Sequence, residues 1–93
     1  MSEDILQFIW RFRLFRQIPL FTSAGLPIRI LHPGDWNHDA GPDFQSALLY
    51  IEDIYISGNV EVHVSAKDWY IHGHQENPAY NSVILHVIWE GED

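Results

Sequence analysis

Ninety-three residues, 46% hydrophobic, 14% aromatic and 19% charged, describe one small globular domain and exclude a disordered segment. A formal charge of −8 works against phosphate backbones, whose nonspecific binding draws its energy from Lys and Arg, of which there are five. With no cysteine, disulfides and thiolate metal sites are excluded, and any metal must be held by His, Asp or Glu.

The chain begins Met1-Ser2-Glu3-Asp4, without the basic start and apolar run of a signal peptide. No later apolar run reaches spanning length, so a cytoplasmic chain with no membrane contact is expected. Ser2 is placed to cap a helix, and Glu3 and Asp4 suit its first turn, where the partial positive charge of the helix end favours acids. Apolar residues at Ile5, Phe8, Ile9, Phe12 and Phe15, widened by Trp10 and Leu14, form a stripe that predicts packing on a sheet. Gln7 and Arg11 then face water, and Pro19 ends the helix. Arg11, Arg13 and Arg16 read as a solvated face near the helix C-terminus or, more sharply, as a phosphate contact. Thr22 to Gly25 is turn material before a short strand at about Pro27 to Leu31.

His32 to Phe44, dense in Gly, Pro, Asp, Asn and His, is loop composition. Phe44 to Ile51 and Ile54 to Val64 are rich in β-branched, aromatic and leucine residues, broken only by Glu52-Asp53, and predict an antiparallel hairpin. Along its second strand Val60, Val62 and Val64 go to one face and Glu61 and His63 to the other, about 6–7 Å apart. Gly58-Asn59 marks either a bulge that re-aims Glu61 or a weak point in the strand. Ser65 to Tyr70 predicts a short helix capped by Ser65, with Asp68 in place of the usual capping-box Glu. His72 to Pro78 is loop, and Ser82 to Trp89, apolar on both faces, predicts a central strand. The fold class is therefore α+β: an N-terminal amphipathic helix on a small mixed sheet built around a hairpin. No repeat or linker divides the chain, so residues 1–93 form one domain. A strand of this kind so near the acidic end, Glu90 to Asp93, is expected in the N-terminal portion of a longer protein.

Hairpin pairing brings Asp43, which opens the first strand, beside Glu61, late in the second. Two carboxylates there can hold a hard divalent cation, with His63 positioning or deprotonating the attacking water. The structural alternative makes Asp43 a turn cap and leaves Glu61 and His63 on a solvated face. His38 and Asp39 can enter the same site from the loop or brace the turn. His72 and His74, separated by Gly73, can reach one metal, and neutral imidazole suits zinc, iron, manganese or nickel. His86, among apolar neighbours, reads as a core histidine sooner than a ligand. Trp36, Trp69, Tyr70 and Tyr80 flank these loops and can stack on a base or sugar ring, or simply pack the domain. No phosphate-binding Gly-rich loop, serine nucleophile elbow or dinucleotide fingerprint is present.

The segments His32 to Phe44, Gly58 to His63, Asp68 to His74 and Val83 to Ile88 resemble the motifs HPGxxNxDAGPDF, GNVEIH, DWYxHGH and VILHVV of a bacterial family described as a domain of unknown function. Its longer members imply that this chain is an N-terminal portion. More distantly, Pro42-Asp43 and Glu61-Val62-His63 resemble the Pro-Asp and Glu-x-Lys elements of the PD-(D/E)XK nuclease superfamily, in the right element order, with His63 where that superfamily has lysine. The resemblance implies a restriction-endonuclease-like core in which Asp43, Glu61 and the carbonyl of Val62 bind magnesium or manganese and His63 orients the nucleophilic water. His72, His74 and Trp69, with His38 and Asp39, are accessory candidates. Together these readings point to a divalent-metal-dependent, nuclease-like hydrolase of phosphodiesters, which would meet nucleic acid through further sequence or a partner. The rival is a non-catalytic binding or assembly module with a polar and aromatic recognition surface.

Overall fold

The chain folds in the order α1 (Glu3–Arg11), β1 (Leu20–Phe21), β2 (Pro27–His32), β3 (Asp35–Trp36), β4 (Phe44–Ile51), β5 (Ile54–Ser65), α2 (Asp68–Ile71), 3-10 turns at His74–Glu76 and Pro78–Tyr80, and β6 (Val83–Glu90). The computed structural model describes residues 1–15 and 17–90. Arg16, read above with Arg11 and Arg13, and the acidic end at Gly91 to Asp93 lie outside the described residues. The architecture is α+β: a mixed sheet of six strands in the order β1-β2-β4-β5-β6, with β3 paired to the start of β4 and the N-terminal helix packed on one face. All pairings are antiparallel except β5 with β6, which the α2 segment connects as a crossover. Among the described residues no helix is long and apolar enough to cross a membrane.

The hairpin forms where the strand-like residues are densest. Ile51 pairs with Ile54, so Glu52-Asp53 is the whole turn, and Glu52 takes the positive φ of 52° that such tight reversals require. Alternation along β5 sends Val60 and Val62 into the core with Phe44, Ala47, Leu6 and Trp10. Glu61 and His63 point to the opposite face and are also buried, so neither face of this strand is solvated between Val60 and His63. Opposite Asn59 the first strand bulges between Phe44 and Ala47, and Asn59 Oδ1 accepts from the Ser46 N–H at 3.1 Å. The register of β6 also shifts at Asn59, whose side chain donates to Ser82 Oγ at 2.7 Å. Gly58-Asn59 is thus a three-strand junction.

Ser2 caps α1, its Oγ accepting from the Ile5 N–H at 3.2 Å. Several expectations need correcting. The helix stops at Arg11, well before Pro19, because Arg13 enters the left-handed region with φ 52°. Its core-facing residues are Leu6 and Trp10, the latter donating from Nε1 to the Pro33 carbonyl at 2.9 Å, whereas Ile5, Phe8 and Phe12 are about half exposed. Helical spacing puts Leu6 and Trp10 on one line, four residues apart, and that line is buried in the core, with Phe15 of the expected stripe packed against it beyond the helix end. Lastly, β6 is an edge strand among the described residues. Its apolar character on both faces has another origin: Leu85 and Val87 join the helix-side core, while His86 turns to the face of Glu61. The α2 helix likewise starts at Asp68 with Lys67 at its N-cap, and of the expected capping box only one half forms, Asp68 Oδ2 accepting from the Ser65 N–H at 3.3 Å.

Candidate metal centre

The sheet face away from α1 gathers four histidines and two acids. Pairing of β4 with β5 stops at Phe44 opposite Val60, so Asp43, whose carbonyl accepts from the Asn37 N–H at 2.8 Å, lies outside that pairing beside the next residues of β5. Its N–H donates to Glu61 Oε1 at 3.1 Å, and its Oδ2 accepts from the Val62 N–H at 2.9 Å. Asp43 and Glu61 therefore converge, and the arrangement rigidly ties the mouth of the hairpin. Within an extended strand a residue's N–H and C=O leave on the same edge, so Val62 meets Asp43 through an edge that also carries its carbonyl.

From the far side the α2 crossover supplies imidazoles. Gly73 adopts a left-handed φ of 72°, and this reversal lets His72 and His74 turn toward the same strand. His74 Nε2 lies 2.7 Å from Glu61 Oε2, and His63 Nε2 lies 3.2 Å from the same oxygen. His72 Nδ1 is 3.2 Å from His63 Nε2, and one nitrogen from each of His63, His72 and His74 falls within 4.8 Å of the others. On its other nitrogen, Nδ1, His63 meets His86 Nε2 at 2.7 Å. His63 and His74 are buried, whereas His72 is exposed and gives the cluster an opening to solvent.

Aromatic packing holds His74 in place. Tyr80 stacks on it with ring centroids 3.8 Å apart, and Trp69 meets it edge-on at 5.3 Å. Tyr80 is itself fixed by its hydroxyl, which donates to the Gly41 carbonyl at 3.1 Å and so links the 3-10 turn to the loop before Asp43. Trp69 belongs to this cage, as does His86, 5.1 Å from the Trp69 ring. His38 lies against the Trp36 ring at 3.8 Å, and the Asp39 N–H donates to Asn37 Oδ1, so these exposed residues are placed in the loop that Asn37 braces.

Burial sets the charge state of the cluster. It pushes the Glu61 carboxyl up to about 9, helped by a hydrogen bond and the charge of Asp43, so without a cation Glu61 is neutral at pH 7. Burial first, then His86 and the other imidazoles, bring His63 down to about 4. His74 and His86 are lowered by burial as well, and then by neighbouring imidazoles. Glu3, at the start of α1, feels the site too: burial and then Asp43 raise it. The result is a set of neutral imidazoles, the form that ligates metals. His74 Nε2 is buried, and apart from Glu61 Oε2 at 2.7 Å it has no hydrogen-bond partner among the described residues. Three imidazoles and a carboxyl group converging on one spot are a donor set that fits a divalent ion.

Sequence reasoning found Asp43, Glu61, His63, His72 and His74 but undervalued His86 and Tyr80. The only local signal for either was a polar residue in an apolar strand and an aromatic beside a His-rich loop. A family model described as "protein of unknown function (DUF2851)" matches residues 3–93. No curated protein and no solved structure matches the chain.

Proposed function

The chain belongs to the DUF2851 family of proteins of unknown function, and on that footing we propose that it is a divalent-metal-dependent hydrolase of phosphodiesters. The observation that carries this reading is the convergence of the buried His74 Nε2, 2.7 Å from Glu61 Oε2, with His63 and His72, one nitrogen of each histidine lying within 4.8 Å of the others. Glu61 Oε2, His63 Nε2, His72 Nδ1 and His74 Nε2 are the ligands. His63 moves from the water-orienting role to ligation because both its nitrogens are already engaged, Nδ1 with His86 and Nε2 with His72 and Glu61. Asp43 sets the other oxygen of Glu61 through its own N–H and is the acid that orients and deprotonates the attacking water. A bound cation supplies Lewis acidity toward a phosphoryl oxygen and a lowered pKa for water. The imidazole-rich donor set favours manganese or zinc over magnesium. The order of helix, antiparallel strands with the acids on a hairpin, short helix and parallel strand supports the nuclease-like resemblance.

A second reading, a binding or assembly module, draws on the half-exposed Ile5, Phe8 and Phe12 of α1 and on the charge of −8. One experiment separates the two: thermal unfolding of the chain with manganese, zinc or magnesium, alongside hydrolysis of bis(4-nitrophenyl) phosphate. Manganese or zinc at about 100 times Kd should raise Tm on the order of 10 °C. Glu61→Gln and His74→Ala should abolish that rise, and Asp43→Ala should lower hydrolysis by at least about 100-fold. Unchanged melting with every ion sinks the metal reading, and stabilisation without hydrolysis leaves the binding module.

A further inference from the structure

His63 is the only histidine of the cluster whose two ring nitrogens both meet other histidines. A neutral imidazole has one N–H and one lone pair, so its partners decide which nitrogen is bare. Next to His63 Nε2 stand His72 Nδ1 and Glu61 Oε2, each at 3.2 Å, the atoms assigned above to the cation. A proton on Nε2 would sit in the place of the ion. It must therefore ride on Nδ1, which is fully buried and needs an acceptor. The atom there is His86 Nε2, 2.7 Å away, with the two rings at 90°.

We propose that His86 is a positioning residue: its Nε2 accepts the Nδ1–H of His63 and thereby fixes the tautomer that turns His63 Nε2 toward the cation. This rests on the metal reading above. The fold delivers His86 to that spot, because the parallel register of β5 and β6 pairs Glu61 with His86 and sets both side chains on one face. Trp69, 5.1 Å from the His86 ring, holds it from the crossover side. The reverse arrangement satisfies the same contacts when no ion is bound: His86 Nε2–H donates to His63 Nδ1, and His63 Nε2–H donates to Glu61 Oε2. Loading the site thus moves the proton of His63 from Nε2 to Nδ1 and that of His86 from Nε2 to Nδ1, with both rings remaining neutral.

The test uses the full chain with zinc as a diamagnetic probe. Long-range 1H–15N correlation spectra of the zinc-loaded protein should show His63 protonated on Nδ1 with Nε2 shifted by coordination. His86→Leu, which fills the space but accepts nothing, should weaken zinc binding about 10- to 100-fold. His86→Gln, whose carbonyl can accept, should recover most of that loss. His63 protonated on Nε2 in the loaded wild type overturns the proposal, and this measurement stands even if a variant fails to fold. So does zinc affinity unchanged in His86→Leu, or an equal loss in both variants, which marks packing alone. A wild type that binds neither zinc nor manganese brings down the metal reading and this inference with it, an outcome distinct from the others.

Discussion

Glu61 is a carboxyl group 3% exposed to solvent in the middle of a sheet, and its cost can be read against pH. Burial and Asp43 raise it to about 9, so the folded, metal-free chain holds a proton that the unfolded chain releases near the ordinary value of 4.5. The stability tied to that proton is complete below pH 4.5 and is lost as pH rises toward 9. His63, His74 and His86 are lowered from 6.5, so their contribution is present above pH 6.5 and lost as pH falls, for His63 toward about 4. Well above pH 6.5 these imidazoles are neutral in both states, and over most of the range up to pH 9 Glu61 governs the balance among the cluster residues. In chelator, Tm measured by circular dichroism should therefore fall by on the order of 5 °C or more between pH 6.5 and 9, and Glu61→Gln should flatten that slope. Ligation requires the carboxylate, so calorimetry of manganese binding at pH 7.5 in two buffers should register release of about one proton per ion. A slope unchanged in the Gln variant, or binding without proton release, would contradict the assignment of Glu61.

At the level of elements, the site depends on how closely β6 approaches β5, and that approach is set by Gly58. A Cβ there would stand 2.5 Å from Ile84 Cγ2 and 3.1 Å from the Ser82 carbonyl, so Gly58→Ala forces β6 outward at the point where its register shifts. The expected cost is about 1–3 kcal/mol in urea unfolding, as for an overpacked core, together with weaker metal binding because His86 travels with β6. Full stability with lost metal affinity, or the reverse, would show that the junction and the site are uncoupled. The same junction explains what could be read in advance. The hairpin was legible to within one residue, since its two strands and two-residue turn are written in local composition, and alternation along β5 put Glu61 and His63 together. The face of α1 was not, because Ile5, Leu6, Phe8, Ile9, Trp10 and Phe12 surround the helix with apolar side chains and periodicity alone does not choose among them. His86 was also hidden: its partner is fixed by a parallel register across a crossover, and no window of local sequence contains both strands.

For the molecule as a whole, the charge of −8 must be reconciled with an anionic substrate. The described arginines do not form a track into the site. Arg11 stacks over Trp36, Arg13 donates to the Leu31 carbonyl, and Arg29 stacks over Tyr50. A divalent ion in the cluster still leaves the chain strongly anionic, so its long-range field repels a phosphodiester while the local charge of the ion attracts it. Salt screens the first effect over about 10 Å at 0.1 M and affects a partly buried contact much less. For the isolated chain, kcat/KM for a small anionic phosphodiester should rise, by about two-fold or more, as ionic strength increases from 20 to 200 mM. A protein that reads a nucleic-acid backbone through its own basic surface behaves in the opposite way, because added salt reverses counterion release and weakens binding steeply. Steady-state rates across that salt range decide between them. A rise means that this chain supplies the chemistry and that any grip on a polyanion comes from another sequence or partner, whereas a steep fall would mean that the cationic residues outside the cluster form a binding surface after all.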